Sequence, residues 1–229
     1  MPRPHPAKRA AYHHGNLREV LVETSLKVIE KHGIGALTLR EIGAQAGVSR
    51  TAAYRHFASK EDLLCAISEA GFALFRSEMA ASMAAVPADF PSRLRAMAVA
   101  YVRFALRHQA RFAVMFDATR RPPIPPPQVA PQVAPQVECV TQPEGDLAFA
   151  QLEGVVREGQ EKGYVRAGET TLLAHVVWAH IHGVSLLRLA VGPSGDMDED
   201  LLSRMTDLLL KGVARPKEPG PAPRKRRKP

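Results

Sequence analysis

The segment TLREIGAQAGVSRTAAYRHF carries the signals of two very short helices joined by a tight turn. Thr38 and Glu41 match the Thr-x-x-Glu capping box, which predicts that the first of these helices begins at Thr38. Gly47 is expected to end it, because a tight turn needs a residue that tolerates positive φ. Ser49 is a suitable N-cap for the second helix, which is predicted to continue only to about Phe57. Two short helices joined in this way form a helix-turn-helix.

The second of the two short helices presents side chains that suit DNA. Ala53 and Phe57 are four residues apart and can face inward, so that Arg50, Thr51 and Tyr54 point outward together. In a helix-turn-helix the second helix lies in the major groove, where an arginine can donate to guanine O6 and N7. The positive end of the helix dipole also attracts phosphate. This face predicts binding to double-stranded DNA.

The rest of the chain also follows a helical period, and no strand pattern occurs. Apolar residues at mixed i+3 and i+4 spacings predict a helix over 16–32, with Asn16 as its N-cap. Ser59 is expected to cap a long helix that stops before Pro87. Further helices are expected at about 90–108, 112–116, 145–162, 169–191 and 198–212. The predicted fold class is all-α, interrupted by a proline-rich loop at about 120–145 that cannot be helix interior.

The excess of basic residues lies at the two ends of the chain. The formal net charge is +8, of which residues 1–12 hold +3 and residues 215–229 hold +6, so that residues 13–214 carry −1. Basic arms of this kind favour a polyanion, most often nucleic acid. For the C-terminal RKRRKP, a role in solubility alone stays open as the alternative.

Cysteine content and hydropathy favour a cytoplasmic protein. Only two cysteines occur, Cys65 and Cys139, which suggests neither a disulfide framework nor a zinc ligand set. The N-terminus has no apolar core of a secretory signal. The most apolar window, residues 172–191, contains three histidines and Arg188, which would be costly in lipid. We therefore expect this window to be a buried helix and not a membrane span.

The run LTLREIGAQAGVSRTAAYRHFASKEDLL resembles the tetracycline-repressor (TetR) family of bacterial transcriptional regulators. It holds the family's capping threonine, Gly-Val-Ser turn, Tyr-x-His-Phe close and Ser-Lys-Glu-Asp-Leu-Leu entry to the fourth helix. Gly43 stands where many helix-turn-helix sequences have alanine, which is expected to loosen the packing between the short helices. Farther along, Trp178-Ala-His180-Ile-His182-Gly183 resembles a branch of the family with a Trp-His-Gly signature.

The resemblance implies a domain organisation and a partner. It implies a DNA-binding domain over 13–64 and a helical ligand-binding and dimerisation domain over 65–214, between a basic arm at 1–12 and a basic tail at 215–229. Members of the family are typically homodimers joined through their last two helices, here 169–191 and 198–212. The implied target is an inverted-repeat operator, and the default action is repression.

The resemblance also implies roles for particular residues. Base edges in DNA would be contacted by Arg40, Arg50 and Thr51. DNA phosphates would be held by Thr38, Ser49, Tyr54, His56 and Lys60. A cavity for a small apolar or amphipathic effector is expected among the middle helices, with a lining drawn from Phe75, Met79, Met97, Tyr101, Phe104, Met115, Phe149, Trp178 and His180. Periodicity alone would make most of these residues ordinary core, and no cofactor is expected.

Other functions stay open beside this one. A DNA-binding architectural protein would need no effector and no cavity. A metal-responsive regulator would use histidines, but His175 and His182 are two helical turns, about 10 Å, apart and cannot bind one metal alone. A redox-responsive regulator would use Cys65, although a cysteine on an apolar helix face is more often core. The sequence has no glycine-rich phosphate loop, HExxH or GxSxG motif, so no enzyme is predicted.

Overall fold

The computed structural model describes residues 17–117, 143–192 and 199–213. Within these ranges the chain is helical without any strand, which confirms the predicted all-α class. A short 3-10 helix at Ile34–Ala36, which the sequence analysis does not predict, lies between the first two α-helices. The α-helices are α1 Leu17–His32, α2 Leu39–Gln45, α3 Arg50–His56, α4 Lys60–Ala84, α5 Phe90–Arg107, α6 Gln109–Met115, α7 Pro143–Glu161, α8 Thr170–Val191 and α9 Glu199–Val213.

Most helix boundaries lie within two residues of their predicted positions. α7 begins at Pro143, two residues before the expected start, because proline is tolerated in the first turn of a helix. α6 begins at Gln109, three residues before the predicted 112–116. The predicted N-cap Asn16, residues 120–142 of the proline-rich stretch and both basic ends of the chain lie outside the described residues.

The chain divides into two compact units, and the division falls inside α4. Of the described residues, the first unit comprises 17–68 and 113–117, and the second comprises 69–112, 143–192 and 199–213. In the described part of the first unit, α1, α2, α3 and the start of α4 enclose an apolar core. Its fully buried side chains include Leu21, Leu37, Ile42, Ala53, Phe57, Leu63 and Ile67.

In the second unit, α5 contacts α7, α8 and α9. Asp89 caps α5 by accepting a hydrogen bond from the Ser92 N–H at 2.9 Å, and this bond lowers the pKa of Asp89. The apolar face of α5 is buried, with Leu94, Ala98, Phe104 and Ala105 among its members. Burial on three sides makes α5 the central helix of this unit.

The most apolar window is a helix, as expected, but only one of its faces is buried. The window forms α8, which buries Leu173, Val177 and Ile181 on one face. The other face leaves large apolar side chains exposed, namely Leu172, Val176, Leu186, Leu187 and Val191. Hydropathy alone does not distinguish a helix buried all round from a helix with one apolar face uncovered.

The apolar character of α8 is enough for it to pass a simple test for a membrane span. Its mean hydropathy is 1.3 over the test window, and a third of that window is buried. Among the described helices it is the one that meets the criteria of length and composition. A core or interface helix of a soluble protein meets the same criteria, so this observation is weak evidence for a membrane span.

Two glycines of α7 give a matched test of the packing between α7 and α5. A Cβ added to Gly159 would lie 2.6 Å from the Phe90 ring and 2.7 Å from Val165 Cγ2, whereas one added to Gly154 meets nothing within 4 Å. We expect Gly159→Ala to lower the free energy of unfolding by about 1–2 kcal/mol through overpacking. Gly154→Ala should raise it by about 0.5–1 kcal/mol through helix propensity. Chemical unfolding followed by circular dichroism measures both, and equal stability of the two variants would contradict this packing.

Candidate nucleic-acid interface and ligand domain

The turn between α2 and α3 depends on one glycine with positive φ and one close helix contact. Gly47 has a φ of 71°, and the N–H of Val48 donates to the Gly43 carbonyl at 2.9 Å, as at many helix C-termini. A Cβ on Gly43 would lie 3.3 Å from the Cβ of the fully buried Ala53. Gly43 therefore lets α2 and α3 approach closely, and its position is tightly packed where loose packing was expected.

Both short helices begin at the predicted capping residues. The Thr38 hydroxyl accepts a hydrogen bond from the Glu41 N–H at 3.2 Å. The Ser49 hydroxyl accepts one from the Ala52 N–H at 3.1 Å. Each hydroxyl still has its own hydrogen to donate, so both caps remain able to bind an anion.

α3 presents the predicted outward face. Ala53 and Phe57 are buried, whereas Arg50, Thr51 and Tyr54 are exposed, with 44% of Tyr54 accessible. The guanidinium carbon of Arg50 lies 5.4 Å from the centre of the Tyr54 ring, within the range of a cation–π contact. This contact favours a conformation in which the arginine and the tyrosine project from the same side of the helix.

The other predicted DNA contacts are also exposed, except Lys60, which is half-buried. Thr38, Arg40, Ser49 and His56 are exposed in the first unit together with the α3 residues. Lys60 is half-buried, and its ammonium group donates to main-chain carbonyl oxygens of the 3-10 helix. Its ammonium is therefore already engaged within the protein.

The start of α4 is fixed by reciprocal capping. The Ser59 hydroxyl accepts from the Asp62 N–H at 3.1 Å, and the Asp62 carboxylate accepts from the Ala58 N–H at 2.9 Å. The Ser-x-x-Asp spacing predicts the first of these bonds, and the second closes the turn between α3 and α4. The first turn of α4 is therefore held against the end of α3.

The predicted pocket residues fall into three groups. Met115 is buried and belongs to the first unit. Five belong to the core of the second unit and are almost fully buried, namely Phe75, Met79, Met97, Tyr101 and Phe104. Phe149 on α7 and both Trp178 and His180 on α8 are half-buried, so parts of their side chains remain accessible.

A hydrogen-bonded trio crosses the core of the second unit. The Tyr101 hydroxyl lies 3.2 Å from Trp178 Nε1 and 2.8 Å from His182 Nδ1. An indole only donates, so the Tyr101 oxygen accepts from Trp178 and its own hydrogen is available for His182 Nδ1. Burial raises the pKa of Tyr101 and lowers the pKa of His182, which keeps both groups neutral. With Nδ1 as the acceptor of this bond, a neutral His182 carries its proton on Nε2.

His182 is not among the predicted pocket residues, although its spacing from Trp178 could have identified it. His182 follows Trp178 by four residues on α8, and therefore lies on the same face of the helix. Its ring also stacks on Phe112, with 5.5 Å between ring centres and 28° between planes. The neighbouring His180 has a buried Nε2 without a hydrogen-bond partner in the described structure, and burial lowers the pKa of His180.

The metal alternative gains no support from the described residues, and the cysteine of the redox alternative is not a free thiol. These residues contain no group of three or more potential metal ligands among His, Cys, Asp and Glu. His175 is exposed, and its Nδ1 lies 2.8 Å from the Thr171 carbonyl oxygen. Cys65 is disulfide-bonded rather than a free thiol, which corrects both the expectation of no disulfide and that of ordinary core. Cys139 lies outside the described residues.

Two open clefts lie between α4 and α7. Their volumes are about 510 and 490 Å³, within the range of small-molecule sites, and both are lined by Ala80 and Gln151. The larger cleft is also lined by Arg93 and Glu158, which form an ion pair. Hydrogen bonding to Lys162 and the charge of Arg93 lower the pKa of Glu158. None of the predicted pocket residues lines either cleft.

Two family profiles match this chain, one in its N-terminal part and one in its C-terminal part. Residues 21–67 match the profile described as "Bacterial regulatory proteins, tetR family". Residues 94–211 match the profile described as "Tetracyclin repressor-like, C-terminal domain". The first match covers the helix-turn-helix, and the second covers α5 to α9 and exceeds half of the chain.

Individual proteins show the same likeness. The chain is 33% identical over 106 residues to the HTH-type transcriptional regulator BetI of Rhizobium meliloti (strain 1021), which is 45% of this chain and 52% of BetI. It is 40% identical over 52 residues to the uncharacterized HTH-type transcriptional regulator YerO of Bacillus subtilis (strain 168), 23% of this chain and 18% of YerO. The chain thus spans about half of BetI and less than a fifth of YerO.

Solved structures extend the likeness over nearly the whole fold. A protein of unknown function from Rhodococcus sp. RHA1 is 28% identical, with a TM-score of 0.74 over 90% of this chain and 100% of the other. The TetR family transcriptional regulator PfmR from Thermus thermophilus is 22% identical, with a TM-score of 0.63 over 85% of this chain and 99% of PfmR, and shares the fold. With a helix-turn-helix in its first unit and family matches in both halves, the chain belongs to the TetR family of bacterial transcriptional regulators.

Proposed function

We propose that this protein is a transcriptional repressor that binds an inverted-repeat operator as a homodimer and leaves it when a small apolar or amphipathic effector binds. The single observation that carries the proposal is the exposed face of Arg50, Thr51 and Tyr54 on the second helix of a helix-turn-helix. A regulator of this kind acts where the bacterial chromosome is, so we expect a cytoplasmic location. Family relatives are DNA-binding regulators, and catalysis is not part of the proposal.

The DNA-binding face divides by the chemistry of its side chains. Arg50 and Thr51 lie in the first turn of α3, and Arg40 is exposed on α2, so these three would reach base edges in the major groove. Thr38, Ser49, Tyr54 and His56 would hold phosphates, which position the protein but carry no sequence information. Lys60 belongs to the predicted phosphate contacts as well, although its ammonium group also donates to a carbonyl oxygen of the 3-10 helix.

The homodimer is supported by the uncovered apolar face of α8. Five large apolar residues on this helix are exposed, and Leu208 on the neighbouring α9 is 66% exposed. Water-exposed apolar faces of this extent are typical of protein interfaces. An isologous contact between two copies of α8 and α9 would bury them and would give the protein the twofold symmetry of an inverted repeat.

Effector binding is supported by the half-buried polar and aromatic side chains of the second unit. Trp178, His182 and Phe149 are partly accessible, and the trio of Tyr101, Trp178 and His182 supplies oriented hydrogen-bonding groups among apolar neighbours. Small-molecule sites typically combine such an apolar lining with few polar groups. An architectural protein without an effector is the alternative, and it predicts that no compound binds here.

Two α3 variants test the DNA-binding face. Arg50→Ala should weaken binding to a duplex selected by the wild-type protein by about 1–3 kcal/mol and relax the base preference at one position of each half-site. Tyr54→Phe should weaken binding to the selected duplex and to a random duplex by similar factors, because a phosphate contact is independent of sequence. Fluorescence anisotropy measures both, with Lys27→Ala on the exposed side of α1 as control. Equal loss on the two duplexes for Arg50→Ala would mean that another residue reads the bases.

Two exposed leucines give a matched test of the dimer. Leu187 on α8 is 55% exposed and Leu147 on α7 is 49% exposed, so neither substitution disturbs the core. We expect Leu187→Lys to shift the protein from dimer to monomer in sedimentation equilibrium, because it would bury a charge in the interface. Leu147→Lys should remain dimeric. A wild-type monomer at micromolar concentration, or a dimeric Leu187→Lys variant, would contradict the proposed interface.

A thermal-shift screen tests the effector site. Some apolar or amphipathic compounds should raise the melting temperature, because a ligand that binds only the folded state stabilises it by about 2.7 kcal/mol at a hundred times its Kd. His182→Leu should reduce this shift while DNA binding without any compound stays at the wild-type level. A broad screen without a single shift would favour the architectural alternative, whereas shifts that persist unchanged in His182→Leu would contradict this location of the effector site.

A further inference from the structure

We propose that Gln160, in the last turn of α7, is a positioning residue for the dimer interface, because it sets the placement of α8 and of the end of α9 relative to α7. The inference rests on the homodimer of the proposed function. It adds to the exposed apolar faces of α8 and α9 a residue that acts through these helices, by hydrogen bonds within its own chain.

The side-chain amide of Gln160 makes three hydrogen bonds across the turn between α7 and α8. Its Nε2 donates to the Arg166 carbonyl oxygen at 3.2 Å and to the Gly168 carbonyl oxygen at 3.0 Å. Its Oε1 accepts from the Thr170 hydroxyl at 2.7 Å. A reversed amide would set an oxygen atom against two carbonyl oxygens, so the three bonds are compatible with one orientation of this side chain.

The bond to Thr170 fixes the start of α8. Thr170 is the first residue of this helix, and the N-cap residue Glu169 makes no side-chain capping bond. The first turn of α8 is therefore connected to α7 by the side chain of Gln160 in place of an ordinary N-cap. Leu172 and Val176, the first large members of the exposed apolar face of α8, follow within two turns.

The bond to Arg166 extends the connection to α9. The Arg166 carbonyl oxygen accepts from Gln160, while the N–H of the same residue donates to the Val213 carbonyl oxygen at 3.0 Å. Val213 is the last residue of α9 and is buried. One residue of the turn thus joins the end of α7 to the end of α9, whose exposed Leu208 lies five positions earlier.

The two connections place both parts of the apolar face with respect to one side chain. In an isologous dimer each copy meets the same surface of the other, so a tilt of α8 against α9 disturbs the contact in both copies. If the turn of a variant were ordered in only about a third of the monomers, the Kd of the dimer would rise about tenfold, because both copies must be ordered. Gln160 thereby acts on the affinity between copies through the helices that it holds.

Nearly isosteric substitutions test this role in the full chain by sedimentation equilibrium. Gln160→Glu keeps the shape of the side chain but removes both donors, and it should raise the Kd of the dimer about tenfold. Thr170→Val, which removes one of the three bonds, should raise the Kd by a smaller factor, whereas Thr170→Ser keeps the hydroxyl and should match the wild type. Gln109→Glu is the matched control, because Gln109 also donates to a main-chain carbonyl oxygen but lies at the start of α6.

Two results would overturn the proposal. A wild-type Kd for folded Gln160→Glu, even with a lower melting temperature, would show a role in stability alone. An equal rise of the Kd in Gln109→Glu would attribute the effect to the added charge. Circular dichroism establishes that each variant is folded at the temperature of the measurement.

The Thr170 pair covers the case in which Gln160→Glu does not fold. A higher Kd for Thr170→Val than for Thr170→Ser would then support the proposal, and equal values would overturn it. A monomeric wild-type protein would instead refute the proposed homodimer, and this is measured before any variant is made.

Discussion

The contact between α2 and α3 is the constraint on which the DNA-binding face depends. Gly43 lies against the buried Ala53, and Gly47 supplies the positive φ that lets the chain reverse within a short turn. These two glycines fix the crossing of the short helices. The crossing in turn buries Ala53 and Phe57 and leaves Arg50, Thr51 and Tyr54 on one exposed face. A larger side chain at the contact, or a residue that avoids positive φ at the turn, would reorient that face.

α4 belongs to both units, because the division of the chain falls within it. Its first turn is held by Ser59, Lys60 and Asp62, and its later turns line two clefts with α7. An effector can release the operator only if it binds the two conformations of the protein with different affinity, and couplings of about 1–3 kcal/mol are typical.

Local signals predict much of this structure, whereas contacts between distant residues are not predicted. Capping residues and turn glycines act on their immediate neighbours, so Thr38, Gly47 and Ser49 mark helix boundaries correctly. The bonds of Lys60 to the 3-10 helix and of Tyr101 to His182 join residues 26 and 81 positions apart, and no periodicity indicates them. The exposure of one face of α8 is missed for a related reason. Hydropathy does not tell whether a neighbour in the same chain or a second chain covers an apolar surface.

We propose that a symmetric pair of α3 helices reads a specific DNA sequence. Selection of bound duplexes from a random-sequence pool tests this most directly, because it assumes neither an operator nor an effector. A twofold dimer predicts enrichment of an inverted repeat, with half-sites separated by the distance between the two α3 helices. Enrichment of a single half-site without symmetry would contradict the dimeric arrangement. Recovery of no sequence at all, with binding that depends only on salt, would contradict the assignment of α3 as the reading helix.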